Sequence, residues 1–259
     1  MSTPVGVGSG EDIQELLNKA QRLLDRIRSK MQKLVDKING ILQSIPSFLV
    51  PDFIVDKIKT GIRKMDEVFT KLVSKVQEFF ASPGWPPALF EAGDRWLAQV
   101  AQPSAMSEAE VSASRLHVDD YWKGSAADAY KDTLGEQQPA FAAMAALARK
   151  VKEFLHTAAW GIIKFWIAVG LALAGVAVAI IAAIVACSSV VGAPAAPLAV
   201  VAGIGAALVT ITSVAWAVFV EFQGIKQAAS SVREERQFNT DFDGNNWPAA
   251  TAAGEWKAD

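Results

Sequence analysis

A chain of 259 residues, half of them apolar, can bury a sizeable core, and its net charge of −2 lacks the excess that a nucleic-acid or strongly acidic partner demands. Cys187 is the only cysteine, which excludes an internal disulfide and leaves the redox compartment open. The first ten residues hold neither a basic n-region nor an apolar h-region, so no secretory signal peptide is expected there.

Past that leader, Ile13, Leu16, Leu17, Ala20, Leu23, Leu24, Ile27, Met31, Leu34, Val35 and Ile38 recur at spacings of three and four, which predicts an amphipathic helix. Lys19, Arg22, Arg26, Arg28, Lys30, Lys33 and Lys37 fall on its other faces. Such a basic face suits an anionic membrane surface. Glu15, Asp25 and Asp36 dilute it, so a solvated face of a helical bundle is the preferred reading. Asn39-Gly40 and the segment Pro46–Pro51 close this element. A second stripe follows, formed by Phe53, Ile54, Ile58, Ile62, Met65, Val68, Phe69, Leu72, Val73, Val76, Phe79 and Phe80. Two long amphipathic helices joined by a short proline loop predict an antiparallel helical hairpin, taken as a first domain over residues 1–81.

Ser82-Pro83-Gly84-Trp85-Pro86-Pro87 is the clearest break in the chain and is read as a domain boundary. A helix is expected from about Ala88, with Leu89, Phe90, Trp96, Leu97 and Val100 apolar, stopping before Pro103. Ser107 and Glu110 have capping-box spacing, which predicts a restart through Val111, Leu116 and Val118 to Tyr121. Trp122-Lys123-Gly124 then reads as a tight turn. Gly124 suits the left-handed conformation that ends a helix, Ser125 suits the cap of the next, and Asp128 lies in its first turn, favourable to the helix dipole.

This Trp122-Lys123-Gly124 turn between two amphipathic helices, followed by Ser125-Ala126-Ala127-Asp128-Ala129-Tyr130, resembles the WXG family of type VII secretion substrates. The resemblance covers residues 88–154. It implies two antiparallel helices packed closely through small residues, a helical partner that is often another WXG-type protein, and export without a signal peptide. Members are typically short and carry no long membrane segment, and here Pro103 and Pro139 interrupt the two arms. The family's Tyr-x-x-x-acidic export motif is absent, because Ser125 stands four residues after Tyr121 and Leu134 four after Tyr130. The resemblance then implies that a partner carries the export signal.

From Phe141 through Leu155 the helix leads towards an uncharged run bounded by Lys164 and Glu221. Pro194, Pro197 and Gly192 divide it into two apolar arms, Phe165–Cys187 and Leu198–Val220. At about 1.5 Å per residue each arm is roughly 34 Å long, enough to cross a hydrocarbon core of about 30 Å. Apolar on every face, the arms predict a membrane hairpin within a domain over residues 156–238, with Gly192, Pro194 and Pro197 at its tip. Trp160, Trp166 and Trp216 sit where interfacial anchors belong. Gly175, Ala179 and Ala183 on one arm, and Ala199, Gly203 and Ala207 on the other, form small-residue ridges that allow close contact in lipid. Lys150, Lys152 and Lys164 precede the hairpin and Lys226, Arg233 and Arg236 follow it. The positive-inside rule then places both termini in the cytoplasm. An uncharged tip is also the easiest part to push through a bilayer from outside.

The tail over residues 239–259 is polar and Gly/Pro-bearing, and is expected to be disordered. Asp241, Asp243 and Asn245 imitate a calcium loop, but Gly244 stands fourth rather than sixth and Ala252 replaces the bidentate acid, so no metal site is read there. His117 and His156 lack further zinc ligands, while Asp119-Asp120 and Glu234-Glu235 point apart on their helices. No catalytic constellation, cofactor site or small-molecule substrate site is read.

The expected fold is all-α: an amphipathic hairpin, a WXG-like helix–turn–helix and an apolar, transmembrane-type hairpin. The expected function is a secreted, membrane-active effector whose apolar hairpin is shielded by the amphipathic helices or a partner, then released to insert and to oligomerise into a pore. The expected partners are a lipid bilayer and a WXG-type helical protein or a second copy. The alternative is a constitutive two-span membrane protein with cytoplasmic termini that serves as a helical scaffold.

Overall fold

The computed structural model describes residues 10–44, 52–111, 115–187, 195–238 and 247. The chain is all-α, and no strand occurs among the described residues. Its helices are α1 (Gly10–Ser44), α2 (Asp52–Ala81), α3 (Pro86–Trp96), α4 (Gln102–Glu110), α5 (Val118–Tyr121), α6 (Ser125–Ala186) and α7 (Ala196–Phe238), with a π-helical turn over Leu97–Ala101 between α3 and α4. They assemble into two compact units, one of Met1–Pro86 with Trp160–Phe219, the other of Pro87–Ala159 with Val220–Asp259. α6 and α7 therefore each lend one part to each unit.

The first unit is built from α1, α2, the second half of α6 and the first half of α7. Each helix turns a seam of apolar side chains inward. On α1 it is Ile13, Leu17, Ala20, Leu24, Ile27, Met31, Leu34 and Ile38, a strict alternation of four and three residues. On α6 Val169, Leu173, Val176, Ile180 and Ala183, with Cys187 directly after its end, repeat that alternation, and on α7 Val200, Ile204, Ala207 and Ile211 do the same. Seams with this average period of 3.5 interdigitate along their whole length, as in four-helix bundles. α2 adds Ile58, Met65, Leu72 and Val76.

In the second unit, α3 through α4 forms one arm and the first half of α6 the other. Phe90 packs edge-on against His156 at 5.0 Å, and Asp94 lies 3.1 Å from the Lys152 ammonium, while Val111 packs beside Ala127, Tyr130 and Leu134. Positions that rise along the first arm fall along the second, so the arms are antiparallel.

Pro103 does not end the first arm, contrary to expectation. It occupies the first turn of α4, directly after the π turn, where the Gln102 N–H reaches back five residues to the Leu97 carbonyl. A proline lacks an N–H and crowds the carbonyl four residues earlier. The wider π turn absorbs both effects without breaking the rod. Ser107 likewise starts no helix: it lies within α4, and its carbonyl accepts the Val111 N–H at 2.8 Å. The helix ends at Val111 instead, whose ψ of 71° is not helical, and His117, at φ 52°, stands in the left-handed region before the short α5. Pro139 lies within α6, which continues through it as one helix of 62 residues.

Candidate functional site

The apolar hairpin lies under a cover. Phe79 and Phe80 near the end of α2 meet Phe165 and Trp166 at ring distances of 4.7 and 5.0 Å, and the Trp166 indole donates to the Pro83 carbonyl at 2.9 Å. Gly84 turns the chain there with φ +72°, and a Cβ on it would fall 2.9 Å from Ile162 Cδ1, so both backbone conformation and space call for glycine. At the other end of α2, a Cβ on Gly61 would sit 3.0 Å from Pro197 Cβ. α1 is seated on α6: the Lys37 ammonium donates to the Ile184 carbonyl at 2.8 Å. That carbonyl is among the last four of α6, which have no donor within the helix, and a cation is favoured at this negative end of the helix dipole.

The two apolar helices cross where Gly203 meets Ala179, since a Cβ on Gly203 would lie 2.7 Å from Ala179 Cβ. Ala183 and Ala207 are buried on either side. Gly175 and Ala199 take no part: both are exposed, and a Cβ on Gly175 meets nothing within 4 Å. Four-residue spacing drifts around a helix while the seam keeps its average of 3.5, so a ridge of three cannot stay on it. Of the expected tip, Gly192 and Pro194 lie outside the described residues. Pro197 is buried in the first turn of α7, where its missing N–H costs nothing.

Among the described residues, α6 and α7 are the two helices long and apolar enough to cross a membrane. Their outer faces are apolar as well. On α6 Ile167, Leu171, Val178, Ile181 and Val185 are exposed, and on α7 Leu198, Val209, Trp216 and Phe219 are. From Ile167 to Val185 that face runs about 27 Å. Trp216 stacks on Phe219 at the outer surface, as an interfacial anchor would, whereas Trp166 is buried among phenylalanines and anchors nothing in this arrangement. In this arrangement the charged helices α1 and α2 lie along one side of the hairpin. Residues 1–80 hold thirteen Lys+Arg and ten Asp+Glu, and those of α1 near Lys30 flank the Ala174–Ile181 stretch at what would be membrane depth. Each charge held there costs about 2.5–3.5 kcal/mol or more.

The Trp-X-Gly turn lies in the second unit. Gly124 has φ +108°, and its carbonyl accepts the Asp128 N–H at 3.1 Å, which makes Gly124 the capping position and puts Ser125 in the first helical turn, not at the cap. Trp122 is partly exposed and lies 5.5 Å from the Tyr130 ring. The helix directly before the turn is only the four residues of α5, since α4 ends at Glu110. His117 pairs with Asp120 at 2.8 Å, and His156 Nε2 stands 3.3 Å from Asp94 Oδ1 without hydrogen-bond alignment. No group of three metal-ligating side chains occurs among the described residues. The expected calcium look-alike, the side chains of Glu234-Glu235 and nearly all of the expected disordered tail lie outside the described residues. Trp247 is described, and its ring packs against Phe141 at 4.7 Å.

Sequence reasoning missed Lys37, Gly61 and the Trp166–Pro83 bond. Lys37 reads as one more cation on a basic face and Gly61 as a weak point in a helix; only a partner across the bundle gives either a role. No protein-family model, no curated protein and no solved structure matches this chain.

Proposed function

We propose that this protein is a membrane-active helical effector, carrying its apolar hairpin through water under an amphipathic cover that swings off when the hairpin enters a bilayer. The observation that carries this reading is the seating of the charged α1 and α2 on two helices that are apolar on both faces. A resident two-span protein has no use for charged helices along the depth of its spans. In water the cover holds, because opening exposes the whole α1 seam. Burying its seven large side chains contributes of the order of 10–20 kcal/mol before ordering entropy is counted. At a bilayer the same opening costs far less: the hairpin is buried in hydrocarbon and the amphipathic helices can settle at the interface. The likeness of Trp122-Lys123-Gly124 to the WXG turn supports signal-independent export in the company of a helical partner. Assembly of inserted hairpins into a pore belongs to the same proposal.

The test is a tether. Gly61→Cys with Pro197→Cys, in a Cys187→Ala background, joins α2 to α7 at a site that needs a shift of under about 1 Å to reach disulfide geometry. The oxidised full-length protein should leave vesicles sealed, and reduction should restore leakage. Equal leakage in both states, or no association with vesicles in either, sinks the proposal.

A further inference from the structure

A groove of about 560 Å³ runs between α1 and the second half of α6. One wall presents Arg26, Ser29, Lys30 and Lys33, and the other presents Ala174, Ala177, Val178 and Ile181. No carboxylate lines it. The nearby acids on α1 are engaged elsewhere: Asp25 lies 3.3 Å from Arg28, and Asp36 accepts from Gln32 at 2.9 Å. Arg26, Lys30 and Lys33 have no ion-pair partner among the described residues. Beyond the groove the apolar wall opens onto the exposed Leu171 and Val185.

We infer that this groove docks the closed protein on a bilayer containing anionic phospholipid, the lipid phosphate on Arg26, Lys30 and Lys33 and the acyl chains along Ala174–Ile181. This rests on the function proposed above and names its ligand. The choice of occupant follows from the two walls. An acidic peptide or a nucleic acid would satisfy the cations and leave the uncharged wall bare. A free inorganic anion would leave it equally bare. A second copy would bring its own row of cations against this one, and like charges facing each other repel. An amphiphile with an acidic head and apolar tails meets both walls. Lipid lodged there pulls on α1 through its headgroup while its chains take the place of α1 against α6. Docking and uncovering are then one event.

The full chain is floated with vesicles of pure phosphatidylcholine and with vesicles about a third phosphatidylglycerol. Three cations near an anionic surface are expected to raise partitioning about 100-fold, about fivefold each. Arg26→Gln/Lys30→Gln/Lys33→Gln should lose that gain on anionic vesicles and match the parent on neutral ones. A charge-matched control, Lys57→Gln/Lys59→Gln/Lys64→Gln at exposed positions of α2, should keep it. All six side chains are exposed or half-exposed, so circular dichroism should be unchanged in both variants. Equal binding of the parent to both vesicles, or an equal loss in the control, overturns this inference and leaves the covered-hairpin reading standing. Binding to neither vesicle overturns both.

Discussion

α1 turns Leu24, Ile27, Met31 and Leu34 inward and Arg26, Lys30 and Lys33 outward, whereas the second half of α6 turns Leu173, Val176 and Ile180 inward and Leu171, Val178 and Ile181 outward. The inner faces are interchangeable in kind: the same period, the same aliphatic side chains and the same near-complete burial. The outer faces share nothing. An inner seam is enough to build the bundle, and it carries no information about the medium outside. The outer face carries that information, and the two hairpins give opposite answers. Polar α1 and α2 are at home in water, and apolar α6 and α7 in hydrocarbon. A unit that combines them is satisfied in neither medium in one fixed arrangement, which is the physical reason to expect a rearrangement.

The comparison is broken most severely by placing a charge on the inner face. Leu34→Asp buries an uncompensated carboxylate and should lower stability by about 3–5 kcal/mol, measured by denaturant unfolding. The same change on the outer face sharpens the contrast. Leu171→Asp, at a side chain 70% exposed, should leave the denaturation midpoint within about 0.5 kcal/mol of the parent and reduce vesicle insertion by a factor of about 100. If Leu171→Asp destabilises the soluble protein as much as Leu34→Asp does, the distinction between the two faces is wrong.

A smaller effect is expected where cover and hairpin are joined by a charge. Lys37→Met keeps the aliphatic stem but loses the charge-assisted bond to Ile184, at about 1–2 kcal/mol. It should lower the midpoint modestly and bring leakage to lower protein concentrations. The smallest effect lies wholly on the solvent face. The Glu67 carboxyl is held below its ordinary value of 4.5, first by its hydrogen bond to Lys71 and then by the charge of that ammonium. With the folded value depressed, the contribution is present above about pH 4.5 and fades as the pH falls through the folded value. Glu67→Gln should therefore give a melting curve nearly superimposable on the parent at neutral pH, and any difference should vanish in acid.

The fold class was legible because periodicity is local. The α1 stripe reads directly from Ile13 to Ile38, and the hairpin arms read from the absence of charge between Lys164 and Glu221. Pro103 misled because a π turn, which shifts one backbone hydrogen bond from four residues back to five, leaves no mark in residue types. The Ser107–Glu110 pair misled because capping-box spacing also arises by chance inside a helix. Gly175 and Ala199 misled because alanine and glycine recur so often on α6 and α7 that four-residue spacings are plentiful, while it is Gly203 that meets Ala179 at the crossing.

By itself the sequence determined that the chain is helical, where the amphipathic and apolar helices lie, and that Gly124 turns the chain before α6. Those properties depend on side-chain period, charge and backbone freedom, each a matter of a few neighbouring residues. The tertiary structure alone decided that α1 and α2 lie on the apolar hairpin, and which face of α6 looks inward. A helix that is apolar all round has no preferred face of its own. Its inner side is chosen by the helices that pack against it.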